Sequence, residues 1–219
     1  MGFGPGQACA ADVGLGDQMR TRLWTALVTN DWLQIPLQAG HHGIDRLSAG
    51  LQFPGPIYPA SDGSTLVQPL HYQLCQAKLS SKLRHFYENI LTAGDDFSAL
   101  ESAVASADCD LATIISQLPG YLRPNEDASI EFRDREEANP WLSWQRENLC
   151  ILLLYYRLII HRPLCRDANM DKVGRDKASL VCLAAAHGIL ASIEEFDSGD
   201  PILHRRLVWC VAFMTLFHL

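Results

Sequence analysis

Residues 149–160, Leu-Cys-Ile-Leu-Leu-Leu-Tyr-Tyr-Arg-Leu-Ile-Ile, constrain the fold more than any other stretch of the chain, because Arg157 is their only charge. The flanks carry helix signals. Asn139-Pro140 reads as an N-cap followed by proline at the first helical position, and Pro163 reads as the stop. The uninterrupted apolar run, Leu149–Tyr156, is well short of the roughly 20 residues that cross a membrane. A helix of this kind, apolar on nearly every face, belongs in the middle of a bundle.

The rest of the chain supplies partners for it. From Asp17, taken as an N-cap, Leu23, Trp24, Leu27, Val28, Trp32 and Ile35 recur at helical spacing until Pro36. A second helix is expected over about 70–92, with Leu70, Leu74, Leu79, Leu83, Phe86, Tyr87 and Ile90. A third starts near Ser98, whose spacing to Glu101 is that of a capping box, and runs to Pro119-Gly120. Its stripe, Phe97, Leu100, Val104, Ala107, Leu111, Ile114 and Leu118, alternates steps of three and four. Another is expected over about 172–195, with Leu180, Leu183, Ala184, His187 and Leu190 inward. Asp200-Pro201 opens a last, strongly apolar one.

Residues 1–16 show no periodicity and are expected as a mobile tail. Residues 36–69 are rich in Pro and Gly and form a long irregular connection, with Phe53, Ile57 and Tyr58 against the core. The last helix stops at Leu219 without a cap, so the expected domain, 17–219, reads as C-terminally incomplete. No period-2 strand and no internal repeat occurs. The expected fold is all-α, an irregular multi-helix array of about six helices with a long Pro/Gly-rich loop.

Length and charge narrow the function classes. The 219 residues suffice for one domain with a real core, and the net charge is −7. Residues 94–139 hold eleven acidic against three basic residues and carry the whole acidic excess, read as a solvated face and a loop. Such a chain is a poor coat for phosphates, so no direct nucleic-acid contact is expected from it.

Seven cysteines, Cys9, Cys75, Cys109, Cys150, Cys165, Cys182 and Cys210, are odd in number and widely spaced. They read as reduced, buried thiols of a cytosolic or nuclear protein, not as a disulfide framework. Zinc ligands usually come in close pairs; no CxxC occurs, and His41-His42 stands in a Gly-rich loop without a partner motif. The N-terminus has neither the basic nor the apolar region of a signal peptide, and Gly6 stands where myristoylation wants Ser or Thr.

The search for chemistry yields no assigned catalytic, cofactor-binding or metal residue. Dinucleotide, Walker, nucleophile-elbow and HExxH patterns are missing. Asp95-Asp96 reads as helix capping, and His187 as a hydrogen-bonded core histidine. Cys165 follows His161 by four residues, but Pro163 is expected to break their shared face. Trp141, Trp144, Tyr155 and Tyr156 with Arg157 read as core packing in preference to a pocket between helices.

The central helix, Tyr155-Tyr156-Arg157-Leu158-Ile159-Ile160-His161-Arg162-Pro163-Leu164, resembles the leucine-rich helix ending in His-Arg-Pro of the fungal-specific transcription factor regulatory domain. That domain is the middle homology region of fungal binuclear zinc-cluster (Zn2Cys6) regulators. Three other stretches agree in order: Arg20–Asp31 with an Arg-Arg-Leu-Trp-Trp…Asp helix, Leu74–Tyr87 with a Leu-Ala-Arg-Ile…Tyr helix, and Leu118-Pro119-Gly120-Tyr121-Leu122 with a Leu-Pro-x-x-Leu turn. Thr25 stands where a second aromatic is common, and the zinc-cluster module is missing, so no cofactor is expected in this chain.

The resemblance implies a nuclear, non-enzymatic regulatory or effector domain that modulates transcription, of a metabolic or secondary-metabolite pathway in some members, without reading DNA itself. Its implied partners are the transcription machinery or a full-length regulator, a small-molecule effector and a second subunit in a homo- or heterodimer, with no membrane. Arg157, His161 and Arg162 would be structural, as cations at a helix C-terminus. Two alternatives stand beside it: a small all-α enzyme or accessory protein of a fungal biosynthetic pathway, and a truncated remnant without function.

Overall fold

In the computed structural model, residues 10–36, 69–123, 134 and 136–196 are described. Their order is α1 (Ala10–Leu33), α2 (Pro69–Ala93), α3 (Phe97–Ser116), a 3₁₀ turn (Gly120–Leu122), α4 (Trp141–Arg166) and α5 (Lys172–Phe196). No strand occurs among the described residues, and the fold is all-α as the periodicities require. None of these helices is long and apolar enough to cross a membrane. The expected core residues Phe53, Ile57 and Tyr58, the pair His41-His42, Cys9, Cys210 and the last helix all fall outside the described residues.

α4 is the central helix. It packs against α5, α3 and α2 and against the 3₁₀ turn, whereas α1 reaches the others chiefly through α2. Leu142, Leu149, Ile151, Leu153, Tyr155, Tyr156, Leu158, Ile159 and Ile160 are all buried along α4, which is why its sequence lacks a polar face. Pro140 already has helical angles, and the Asn139 carbonyl accepts the Leu142 N–H at 2.9 Å, so the start signal holds to within a residue.

The stop signal does not hold. α4 continues through Pro163 to Arg166, and the Asp167 N–H donates to the Pro163 carbonyl at 3.1 Å. Leu164 is buried in the main core, so tertiary packing keeps the extra turn despite the hydrogen bond that proline removes.

The α3 stripe is buried as spaced, with Ala103 added and Phe97 packed at its edge. Its cap is Asp96, whose Oδ1 accepts the N–H groups of Ser98 and Ala99 at 2.9 and 3.3 Å, in place of the expected Ser98–Glu101 box. Gly94 takes φ +56° in the tight turn before it, a left-handed conformation that suits glycine. Lys82 Nζ meets Asp110 Oδ1 at 2.8 Å, and Arg146 Nη2 meets Glu136 Oε1 at 2.6 Å. Asp110 therefore ties α3 to α2, and Glu136 pairs with α4, instead of both facing solvent alone.

The two outer helices depart from expectation. α1 begins at Ala10, so Asp17 lies inside it and is no N-cap, and residues 10–16 are helical. Val28, Trp32 and Ile35 are buried together against Tyr87, and the buried Arg84 guanidinium lies 4.8 Å from the Trp32 ring centroid while pairing with Glu88 at 2.7 Å. Leu23, Trp24 and Leu27, expected inward, are exposed.

α5 buries Ala178, Cys182, Ala185, Ala186 and Ile189, not the expected stripe. Leu180 is 68 % and Leu183 59 % exposed, and Ala184, His187 and Leu190 are exposed with them. Small side chains bring α5 close to α4: a Cβ on Gly188 would stand 3.0 Å from Leu154 Cδ1. His187 is thus a surface residue and no core histidine.

Candidate functional site

α1 and α4 both rest on α2, and a cleft of about 240 Å³ opens between them. Its wall on α1 is Arg22, Thr25, Ala26, Thr29 and Asn30, at the spacing of one helix face. α2 contributes Tyr72, Gln73, Leu74 and Gln76, and α4 contributes Trp144 and Gln145. Among the described residues of this lining, Arg22 is the sole charged one.

Several of these groups are already satisfied by neighbours. The buried Thr25 donates Oγ1–H to the Thr21 carbonyl at 2.8 Å. Gln76 Nε2 donates to Tyr72 Oη at 2.7 Å, and burial pushes the Tyr72 phenol well above its usual pKa, so it stays neutral. The Tyr72 and Trp144 rings lie 5.6 Å apart, tilted by 55°, and give the cleft an aromatic side.

Two groups are not satisfied. Gln145 is 8 % exposed, and its Oε1, closed off from solvent, has no hydrogen-bond partner among the described residues. Arg22 Nε is closed off as well, and has no partner among the described residues. A buried carbonyl without a donor destabilises a fold by about 1–3 kcal/mol, and such groups are few in native proteins. A donor and an acceptor without partners thus belong to two residues that line one cleft, and a bound molecule that shifts these side chains can complete them.

Near the start of α2, His71 Nδ1 hydrogen-bonds Tyr121 Oη from the 3₁₀ turn, with the rings stacked at 6.1 Å. Burial holds the His71 pKa below its usual value. At the other end of α4, His161 Nε2 lies 2.9 Å from Asp108 Oδ2. Because α4 runs through Pro163, Cys165 does share a face with His161. Its Sγ contacts the His161 carbonyl at 3.6 Å and Cys182 Sγ at 3.8 Å, while the imidazole faces Asp108. The two side chains form no nucleophile–base pair.

Cys182 is buried, Cys75 is buried, Cys150 and Cys165 are half-buried, and Cys109 is exposed, against the expectation that the thiols sit inside. No disulfide joins these five. Among the described residues no three His, Cys, Asp or Glu side chains converge as metal ligands.

Of the aromatic group singled out in the sequence, only Trp144 lines the cleft. Tyr155 and Tyr156 are core residues, Trp141 packs at the core edge, and Arg157 is exposed. Arg22, Thr25, Thr29 and Gln145 were missed as a site. Their signal was present as polar residues inside apolar helical periods, Arg22-x-x-Thr25-x-x-x-Thr29 on α1 and Gln145 between Leu142 and Leu149 on α4. No family model matches the chain, and neither does any curated protein or solved structure.

Proposed function

We propose that the chain is a regulatory, effector-sensing domain of the kind found in fungal zinc-cluster transcription regulators, one that acts in the nucleus and responds to a small molecule held between α1, α2 and α4. The observation that carries this reading is the buried Gln145 carbonyl, left without a donor beside a cleft with an aromatic side and one cation. The ordered motifs of α1, α2, the Leu-Pro turn and α4 support it, as does a net charge of −7, which disfavours DNA phosphates as a direct partner. DNA reading would then come from a full-length regulator or another subunit.

Ligand control follows from the way α1 is held. α1 is anchored by a small separate cluster, Val28, Trp32 and Ile35, and packs chiefly on α2, with the cleft lying between it and α4. A ligand that bonds Arg22 and Gln145 together ties α1 to the central helix and shifts any equilibrium in α1 position by its differential affinity. The test is to fuse the full chain to a heterologous DNA-binding module and measure reporter transcription while fractions of a metabolite extract are supplied. A reproducible change in output with one fraction is expected. Output that stays flat with every fraction, from a folded fusion, refutes the sensing role.

A further inference from the structure

We propose that the cleft binds a small aromatic monocarboxylic acid that also carries a hydroxyl or amino donor. The chemical class rests on the sensing reading for its regulatory meaning, but the binding claim stands on the cleft alone.

Arg22 and Gln145 set the requirement. Arg22 carries a planar guanidinium whose donors form a fork that suits a carboxylate. One cation, with no second basic residue among the described residues of the lining, matches a single negative charge better than a dianionic phosphate. Gln145 Oε1 needs a donor, which a bare carboxylate lacks. Thr25 and Gln76 already spend a donor within the protein, on Thr21 and Tyr72, and so form wall more than recognition. The body between the two polar ends meets Trp144 and Tyr72, whose tilted rings favour a flat apolar framework. A cleft of about 240 Å³ lies below the roughly 300–1,000 Å³ of drug-sized sites, which points to a molecule of one ring.

The experiment is calorimetric titration of the full chain with the hydroxy- and amino-benzoates in each ring position. Benzoate, the methyl esters and phenyl phosphate serve as controls. At least one substituted benzoate is expected to bind saturably, about tenfold or more tighter than benzoate and than its own ester. Arg22→Gln should abolish the preference for acid over ester, and Gln145→Leu the preference for hydroxy- or aminobenzoate over benzoate. Gln145→Met and a thermal melt of each variant guard against misfolding. Equal affinity for acid and ester, phenyl phosphate as the tightest ligand, or no saturable binding across the panel by the folded chain overturns the proposal. Binding without a transcriptional response in the fusion refutes the sensing role and leaves the site intact. A transcriptional response to fractions devoid of such acids refutes the ligand class and leaves the sensing role intact.

Discussion

Replacing Gln145 by Leu is expected to make the unliganded protein more stable, an unusual direction for a buried substitution. The side chain is 8 % exposed and its Oε1 has no partner among the described residues, so the folded state leaves a carbonyl unsatisfied that water satisfies in the unfolded chain. That penalty is about 1–3 kcal/mol. Leucine is close to glutamine in bulk and in helix propensity, so little is lost in exchange. A net gain of about 1–2 kcal/mol follows, which for a chain of this size moves Tm up by about 2–8 °C. Urea unfolding should show a higher midpoint at unchanged slope, the signature of a pure stability change. Gln145→Ala separates the polar effect from packing, since it removes the carbonyl but also opens a cavity, and should fall below Leu. A loss of about 1 kcal/mol or more in the Leu variant would show that the carbonyl finds a donor within the fold, and the cleft would then lack the acceptor on which ligand recognition depends.

Other substitutions test other parts of the reasoning. Asp96→Ala should destabilise by about 1 kcal/mol in denaturant unfolding and Ser98→Ala by much less; the reverse order would restore the Ser98–Glu101 box. Burial keeps the His71 pKa below the 6.5 of the unfolded chain, so the native state binds fewer protons. Its contribution to stability is complete above pH 6.5 and falls away as the pH drops below it, and His71→Gln should flatten that part of a Tm-versus-pH curve. Burial pushes the thiol of Cys75 up to about 11 and that of Cys182 up to about 12, so alkylation near neutral pH should label exposed Cys109 in the native protein and the other two only on unfolding; labelling of Cys182 at the rate of Cys109 contradicts its burial. Leu183→Gln should change stability by less than about 0.5 kcal/mol, and a core-sized loss would return the α5 stripe to the interior.

How far the sequence reveals the fold depends on how unequal the faces of each helix are. α3 has one apolar stripe against a polar remainder, and its burial follows the stripe. α4 has no polar face to choose, and its central position follows from that alone. α5 carries two candidate faces, one of leucines and one of alanines, Cys182 and Ile189. Hydrophobicity favours the first, yet close approach to α4 selects the second, because bulk at the contact keeps helix axes apart. Pro163 fails as a stop for a related reason: Leu164 has a place in the core beyond it. Periodicity counts apolar area and is blind to the distance between axes.

The same blindness hid the cleft, and the rotation of α1 shows why. Val28, Trp32 and Ile35 form the anchor. At 3.6 residues per turn, Arg22, Thr25, Ala26 and Thr29 fall on one flank of that anchor, and Leu23 and Leu27 on the other. Apolar burial alone would turn the leucine flank inward, since covering each leucine stabilises by about 1.5–3 kcal/mol. The observed rotation does the opposite: Thr25 and Thr29 are buried and both leucines are exposed. Trp32, pinned under Arg84, fixes the rotation, and that rotation brings the polar flank to face Trp144 and Gln145 of the central helix. A helix that buries threonines while leaving leucines outside sets aside apolar burial at the place where the open hydrogen-bonding groups collect. Departures from the local rule of this kind gather at functional sites, and here the departure and the unsatisfied pair Arg22 and Gln145 coincide.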